Sequence, residues 1–291
     1  MNIFVTGASG FVGSAIVGEL IQAGHQVIGL ARSEASAKKI RDAGAAVLLG
    51  TLEDLEILKQ GASQADGVIH TAFIHDFTQY QKAGEVDKTA IHTMGEVLAG
   101  TGKPLVVTAG MLGLPTINGL ITEASSAAHS PRLSEAVALA LVEKGVHASV
   151  VRLPPSVHDK GDKGFIPFLI GQARKSGISA YPEKGENHWS AVHRLDAAKA
   201  FRLAVEKAAK GAVYNVVGDQ AIETKTIAEL IGKQLQLPLQ SVSGEAIAAH
   251  FDWMSRFITF EGAAIGTQTQ EQLGWKPTHI GLLEDMQENY F

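Results

Sequence analysis

Short apolar runs alternate with amphipathic stretches through the first half of the chain. Ile3–Thr6, Val27–Ala31, Val47–Gly50, Gly67–Thr71, Pro104–Thr108 and Ala148–Leu153 have the pattern of buried strands. Between them, Gly13–Ala23 carries an apolar stripe of Ile16, Val17, Leu20 and Ile21 at helical spacing, and Gly24 fits its C-terminal cap. Helices are likewise expected over Ala35–Ala43, Asp54–Gln60, Asp87–Ala99 and Ser134–Lys144. The strand segments are continuous Val/Ile/Leu runs rather than alternating ones, which suits a parallel sheet covered on both faces. Strand–helix alternation of this kind predicts an α/β protein with a doubly wound parallel sheet and right-handed crossovers.

The rhythm changes after Leu153. Pro154-Pro155 ends the strand, and Asp159–Gly164 is a polar, glycine-rich loop. A helix over Asp196–Lys207 and a strand over Val213–Val217 look like a return to the sheet. A further helix is expected over Thr224–Gln234, with a loose tail from Trp275 onward. The expected organisation is a dinucleotide-binding domain over 1–158, with 190–218 returning to it. A smaller substrate lobe takes 159–189 and 219–291.

Composition narrows the chemistry. The 291 residues are 45% hydrophobic, with a formal net charge of −5. This mild acidity argues against a nucleic-acid surface, which needs a basic stripe. The absence of cysteine excludes disulfides and thiolate chemistry and fits a reducing cytoplasm. No N-terminal secretion signal or membrane-length apolar run is read, so a cytoplasmic location without membrane contact is expected. The eleven histidines show no metal-ligand spacing, and no metal site is expected.

The strongest motif is Gly7-Ala-Ser-Gly10-Phe-Val-Gly13, placed between a strand and a helix. Gly7 permits the tight turn, Gly10 lets backbone approach a pyrophosphate, and Gly13 allows close helix–strand packing. Phosphates then lie at the helix N-terminus, where unpaired N–H groups and the helix dipole favour anions. An NAD site commonly places Asp or Glu at the end of the second strand, to hold the ribose 2′-OH. Here that position reads Leu30-Ala31-Arg32-Ser33, with Glu34 the first carboxylate. Arg32 can pair with a 2′-phosphate and Ser33 can donate to it, which favours NADP(H) over NAD(H). The alternative is that Arg32 stacks on adenine or faces solvent.

With these residues in view, the chain resembles the short-chain dehydrogenase/reductase superfamily in its extended, epimerase-like branch. The glycine spacing is the extended-branch form. Other matches are Thr51-Leu52-Glu53-Asp54, His70-Thr-Ala72, Val106-Val-Thr108, Val150-Val-Arg152-Leu-Pro154-Pro-Ser156-Val-His158 and Ala191-Val-His193-Arg-Leu-Asp196. The resemblance implies a Rossmann fold and assigns cofactor roles by position. Thr6, Gly7, Ser9, Gly10, Phe11 and Val12 would wrap the pyrophosphate, and Arg32 and Ser33 would hold the adenosine phosphate. Leu52 and Glu53 would flank adenine, while Thr71, Ala72 and Phe73 would meet ribose and phosphates. Thr108 and Ala109 would lie near the nicotinamide ribose, with Pro154, Pro155 and Ser156 against the ring.

The family's usual chemistry needs a Tyr, a Lys four residues later and an upstream hydroxyl. The tyrosines here are Tyr80, Tyr181, Tyr214 and Tyr290, and none is followed by Lys at that spacing. Aligned by position, Pro131 replaces the Tyr and Glu135 the Lys, with Gly110 or Met111 near the usual hydroxyl. The chain thus resembles an atypical member. Arg132 and Glu135, three apart at a helix start, are expected to form a surface pair. Substitute proton donors are His158, after the nicotinamide-side strand, His193, and Tyr181 in the expected lobe. The leading expectation is an NADP(H)-dependent oxidoreductase acting on a small carbonyl compound with a non-standard proton donor. Alternatives are a non-catalytic NADP(H)-binding sensor and an NAD(P)-dependent epimerase or dehydratase. A small-molecule substrate is the expected partner, and a homodimer is the default assembly.

Overall fold

The structure is a computed structural model that describes residues 1–74, 79–128 and 132–291. In its first half, β1 (Asn2–Thr6), α1 (Phe11–Gln22), β2 (Gln26–Ala31), α2 (Glu34–Asp42), β3 (Ala46–Leu49) and α3 (Leu55–Gln64) alternate strictly. They are followed by β4 (Gly67–His70), α4 (Tyr80–Leu98), β5 (Pro104–Gly110), α5 (Ser134–Ala140) and β6 (His147–Leu153). Beyond β6 come β7 (Ser156–His158), α6 (Phe165–Ser176), β8 (Ser179–Pro182), β9 (His188–His193), α7 (Arg194–Lys207) and β10 (Val213–Asn215). The chain continues through β11 (Asp219–Glu223), α8 (Thr224–Leu235), β12 (Leu239–Val242), α9 (Glu245–Phe251), α10 (Thr267–Leu273) and α11 (Leu282–Asn289).

Seven strands form one parallel sheet in the order β10-β6-β5-β4-β1-β2-β3. This is the doubly wound α/β fold expected from the continuous apolar runs. Alternation along β1 shows why both faces need cover. Ile3 and Val5 point into a core shared with Ile16, Val17 and Leu20 of α1 and Phe201 of α7, whereas Phe4 joins Leu58, Ile91 and Met94 on the other face. The strand order reverses at β1, with β4 on one side and β2 on the other. The crevice at the C-terminal ends of these strands is where a doubly wound sheet accepts a ligand.

A separate apolar cluster gathers Ile166, Leu169, Trp189, Ile222, Phe251, Met254, Leu282 and Met286. Two small sheets accompany it, β11-β9-β7 and β12-β8. Among the described residues, no helix is long and apolar enough to cross a membrane.

Several boundaries differ from expectation. Helix α4 begins at Tyr80 rather than Asp87; its first turns carry Gln81, Lys82 and Gly84, which hide the buried Ala83 from the apolar pattern. The expected helix over 134–144 tightens into a 3-10 turn at Leu141–Lys144 and stops at Gly145, whose φ is +81°. The expected loose tail contains α11, an eight-residue helix that buries Leu282, Asp285 and Met286. A stripe that short falls below what periodicity detects.

Candidate functional site

Parallel strands bring distant residues to one edge. Thr6 ends β1, Arg32 and Ser33 follow β2, Leu52 and Glu53 follow β3, and Thr71, Ala72 and Phe73 follow β4. Thr108 and Ala109 lie near the end of β5, and Pro154 and Pro155 lead from β6 into β7, which Ser156 opens. All eighteen residues expected to hold a dinucleotide therefore sit along the same C-terminal edge of the sheet, in the loops leaving it or at the very start of the element that follows.

The glycine loop is shaped as its spacing requires. Gly7 has φ +71°, and a Cβ there would meet Thr71 Oγ1 at 2.6 Å. A Cβ on Gly13 would lie 2.0 Å from the Gly7 carbonyl oxygen, so α1 seats directly on the loop. The Gly10 N–H donates to the Gly7 carbonyl at 2.8 Å and closes the turn. Gly10 caps α1 without a side-chain hydrogen bond, leaving first-turn N–H groups for an anion. The buried hydroxyl of Ser156 makes no hydrogen bond either, which leaves a polar atom for a ligand in the segment after β6. These features fit a bound dinucleotide.

At the adenosine end, Arg32 is exposed. Glu34, the nearest carboxylate, accepts from Arg41 at 2.6 Å and belongs to the surface of α2. The hydrogen bond and charge of Arg41 hold the Glu34 carboxyl below its usual range. Ser33 has a structural duty, because its hydroxyl caps α2 by accepting from the Ser36 N–H at 3.3 Å. Leu52 is buried and Glu53 exposed in a turn closed by Asp54, which accepts from both the N–H and the hydroxyl of Thr51.

A buried polar chain runs from this loop to the start of α5. The Thr6 hydroxyl meets His70 Nδ1 at 2.8 Å, and His70 Nε2 meets Asp87 Oδ1 at 3.0 Å. The Ser134 hydroxyl donates to Asp87 Oδ2 at 2.5 Å and accepts from Arg132 Nε at 3.0 Å. Arg132 also donates to the Thr108 carbonyl at 3.2 Å and lies 4.4 Å over the Phe73 ring. Burial alone would raise the Asp87 pKa. Hydrogen bonds from His70 and Ser134, with the charges of His70 and Arg132, outweigh it and hold the carboxyl below its usual range. Burial lowers the pKa of Arg132, which Asp87 and Tyr80 partly offset.

The expected surface pair between Arg132 and Glu135 does not form. Glu135 is buried and takes a two-pronged hydrogen bond from Arg152, at 2.7 Å to Nε and 2.6 Å to NH2. Arg152 is fully enclosed and also donates to the carbonyls of Thr122 and Ser125. Helical spacing permits the surface pair, and tertiary burial of Glu135 against Arg152 overrides it. Glu135 thus takes the Lys position of the family alignment but serves a buried ion pair. Pro131, in the Tyr position, lies outside the described residues.

His158 and His193 come together across the β7–β9 pair, with ring centroids 5.4 Å apart. His158 is fully buried, and its Nδ1 meets Asp285 of α11 at 2.8 Å. His193 Nδ1 accepts from the Leu195 N–H and caps α7, so any proton sits on Nε2, 3.7 Å from Asp159. Burial lowers the pKa of His193, against the pull of Asp159 and with help from His279. It is thus uncharged at neutral pH, with Nδ1 committed to the helix cap and its one N–H on Nε2. Tyr181 lies on a different sheet, in β8, with Lys225 Nζ 5.7 Å from its ring centroid.

Sequence reasoning missed His70, Asp87, Arg132 and Ser134 as a unit. They come from three segments, and no spacing links those segments. A signal existed in Asp87 itself, a carboxylate in the middle of an apolar helix stripe, which demands a buried partner.

Residues 3–98 match the NAD dependent epimerase/dehydratase family. An uncharacterized protein of Schizosaccharomyces pombe is 48% identical over 98% of both chains. A Stigmatella aurantiaca enzyme, 4-hydroxy-2-methyl-3-oxo-4-farnesyl-3,4-dihydroquinoline-1-oxide ketoreductase, is 26% identical over 79% of this chain and 72% of its own. Among solved structures, the dTDP-glucose 4,6-dehydratase DesIV of Streptomyces venezuelae, with NAD and TYD bound, superposes with a TM-score of 0.78. It covers 99% of this chain and 98% of its own at 17% identity, a likeness of fold.

Proposed function

Because the chain belongs to the NAD-dependent epimerase/dehydratase family, in the extended branch of the short-chain dehydrogenases/reductases, we propose that it is an NADP(H)-dependent oxidoreductase that reduces a small carbonyl compound. The observation that carries the cofactor choice is Arg32. It stands exposed at the end of β2 where an NAD site would present a carboxylate, and Glu34 is already held by Arg41. The glycine loop would hold the pyrophosphate, Leu52 the adenine, and Pro154 to Ser156 the nicotinamide face. A reduced nicotinamide supplies a hydride when bound. The protein's own part is to orient the carbonyl, exclude water and deliver a proton to the carbonyl oxygen. The Stigmatella relative, a ketoreductase by name, supports reduction over epimerisation.

Two measurements test this reading. Steady NADPH consumption over a panel of aldehydes and ketones is expected, and tight NADPH binding with no turnover would sink the enzymatic part. Arg32→Asp should weaken NADPH by about 10–100-fold, as loss of a charge-assisted phosphate contact implies, and NADH far less. Equal weakening of both would show that Arg32 does not read the 2′-phosphate.

One observation favours a second reading. Glu135, aligned with the family's Lys, is locked to Arg152 and cannot assist a proton donor. A non-catalytic NADP(H) sensor would need no such donor. It would change partner or oligomeric state on binding NADP(H), and an unchanged hydrodynamic radius counts against it.

A further inference from the structure

The start of α4 and the start of α5 meet beyond the end of β5. Tyr80 is the first residue of α4. Its ring lies 5.8 Å from that of Phe73, centroid to centroid. The Arg132 guanidinium sits 4.4 Å from the same Phe73 ring, so one aromatic side chain touches both. Arg132 is anchored to the Thr108 carbonyl and the Ser134 hydroxyl, and Asp87 anchors Ser134 in turn. Thr108 lies on the end of β5 and Phe73 in the loop after β4, both along the crevice. A phenol and a fixed cation, from elements far apart in sequence, thus share one aromatic neighbour there, and the Arg132 charge acts on the phenol. A phenolic proton donor under the influence of a fixed cation is an arrangement carbonyl reduction can use.

Resting on the reductase reading above, we propose that Tyr80 is the proton donor of this site and that Arg132 positions it and stabilises its phenolate. The carbonyl carbon takes a hydride from a reduced nicotinamide dinucleotide as its oxygen takes the Tyr80 proton. The carbonyl compound is reduced to an alcohol, the dinucleotide is oxidised, and the phenolate regains its proton from solvent. Arg132 neutralises the phenolate while it exists. Among the described residues, the charged groups acting on the phenol are Arg132 from the α5 side and Asp87 two turns further along α4. Burial raises the Tyr80 pKa and Arg132 pulls it back, so the phenol holds its proton at neutral pH. A donor in the reductive direction must do the same.

The test uses the full chain and two independent readouts. Without cofactor, the near-ultraviolet phenolate titration of the four tyrosines should lose one component in Tyr80→Phe. That same component should move to higher pH in Arg132→Met. With NADPH and a substrate from the panel, Tyr80→Phe should lower kcat by about 10²–10⁴-fold, the usual worth of a positioned acid. Its Kd for NADPH should stay unchanged. Arg132→Ala should also lose kcat and regain part of it on addition of guanidinium ion, which a merely structural role would not allow. Undiminished turnover in Tyr80→Phe overturns the proposal while leaving the reductase reading standing. A titration unmoved by Arg132→Met overturns the pairing. A wild-type protein that binds NADPH and reduces nothing overturns the reductase reading, and the donor role falls with it.

Discussion

The two ends of the crevice are made of different materials. The pyrophosphate end is backbone: a turn at Gly7, a bare cap at Gly10 and a helix pressed onto a carbonyl at Gly13. The opposite end is charge: His70, Asp87, Arg132, Glu135 and Arg152, drawn from four segments and held in ion pairs and hydrogen bonds. The backbone end needs particular residues at fixed spacing, because only glycine satisfies its geometry. The charged end needs only that each group find a partner, and partners arrive from anywhere in the chain. The first can be read as a motif; the second exists only once the sheet has formed.

Substitutions can break this contrast. The largest effect is expected at Glu135→Ala, which leaves Arg152 buried without its counterion. Such a loss costs about 3–5 kcal/mol, read as a lowered midpoint of urea unfolding. A double change to Glu135→Met and Arg152→Met should recover much of it; no recovery would mean that the pair's surroundings, not its charge, set the cost. Next comes Gly13→Ala, whose Cβ would stand 2.0 Å from a carbonyl oxygen. Forcing the helix off the loop should cost about 3 kcal/mol, and NADPH affinity should fall with stability. Ser33→Ala should cost about 1 kcal/mol through loss of the α2 cap. If that stability loss comes with unchanged NADPH affinity, the hydroxyl serves the helix and not the phosphate.

The smallest effect is one of slope with pH. The Asp87 carboxyl is held below its unfolded value, so it binds its proton less readily in the folded state. The stability it contributes is therefore complete above the ordinary carboxylate range and is lost as pH falls through its folded pKa. Asp87→Asn should flatten the acid limb of an unfolding-midpoint profile. An unaltered acid limb would mean that other carboxylates govern it.

The sheet was legible because its strands are uninterrupted apolar runs and its helices mostly carry clear stripes. The first 74 residues were read to within a few positions at each boundary. Arg32 and Ser33 could be singled out because the expectation at the end of β2 is local and specific. Glu135 was misplaced in a surface pair with Arg132, since helical spacing does not reveal that the sheet buries it against Arg152. His158 was legible as a candidate near the nicotinamide side, but Asp285 was not legible as its partner. The short α11 that supplies Asp285 gives too few apolar positions to announce itself.

That last contact has a consequence in folding time. His158 and Asp285 are 127 residues apart, and the Tyr290–Asp162 contact nearby spans 128. Contacts of such long range form against a large loss of chain entropy and come late. The segment after β6 therefore reaches its final shape only when α11 has docked, well after β1, α1 and β2 can have met through neighbours close in sequence. A refolding chain should become competent to hold a pyrophosphate before the nicotinamide side is set, so that cofactor added early finds a half-built crevice and finishes it.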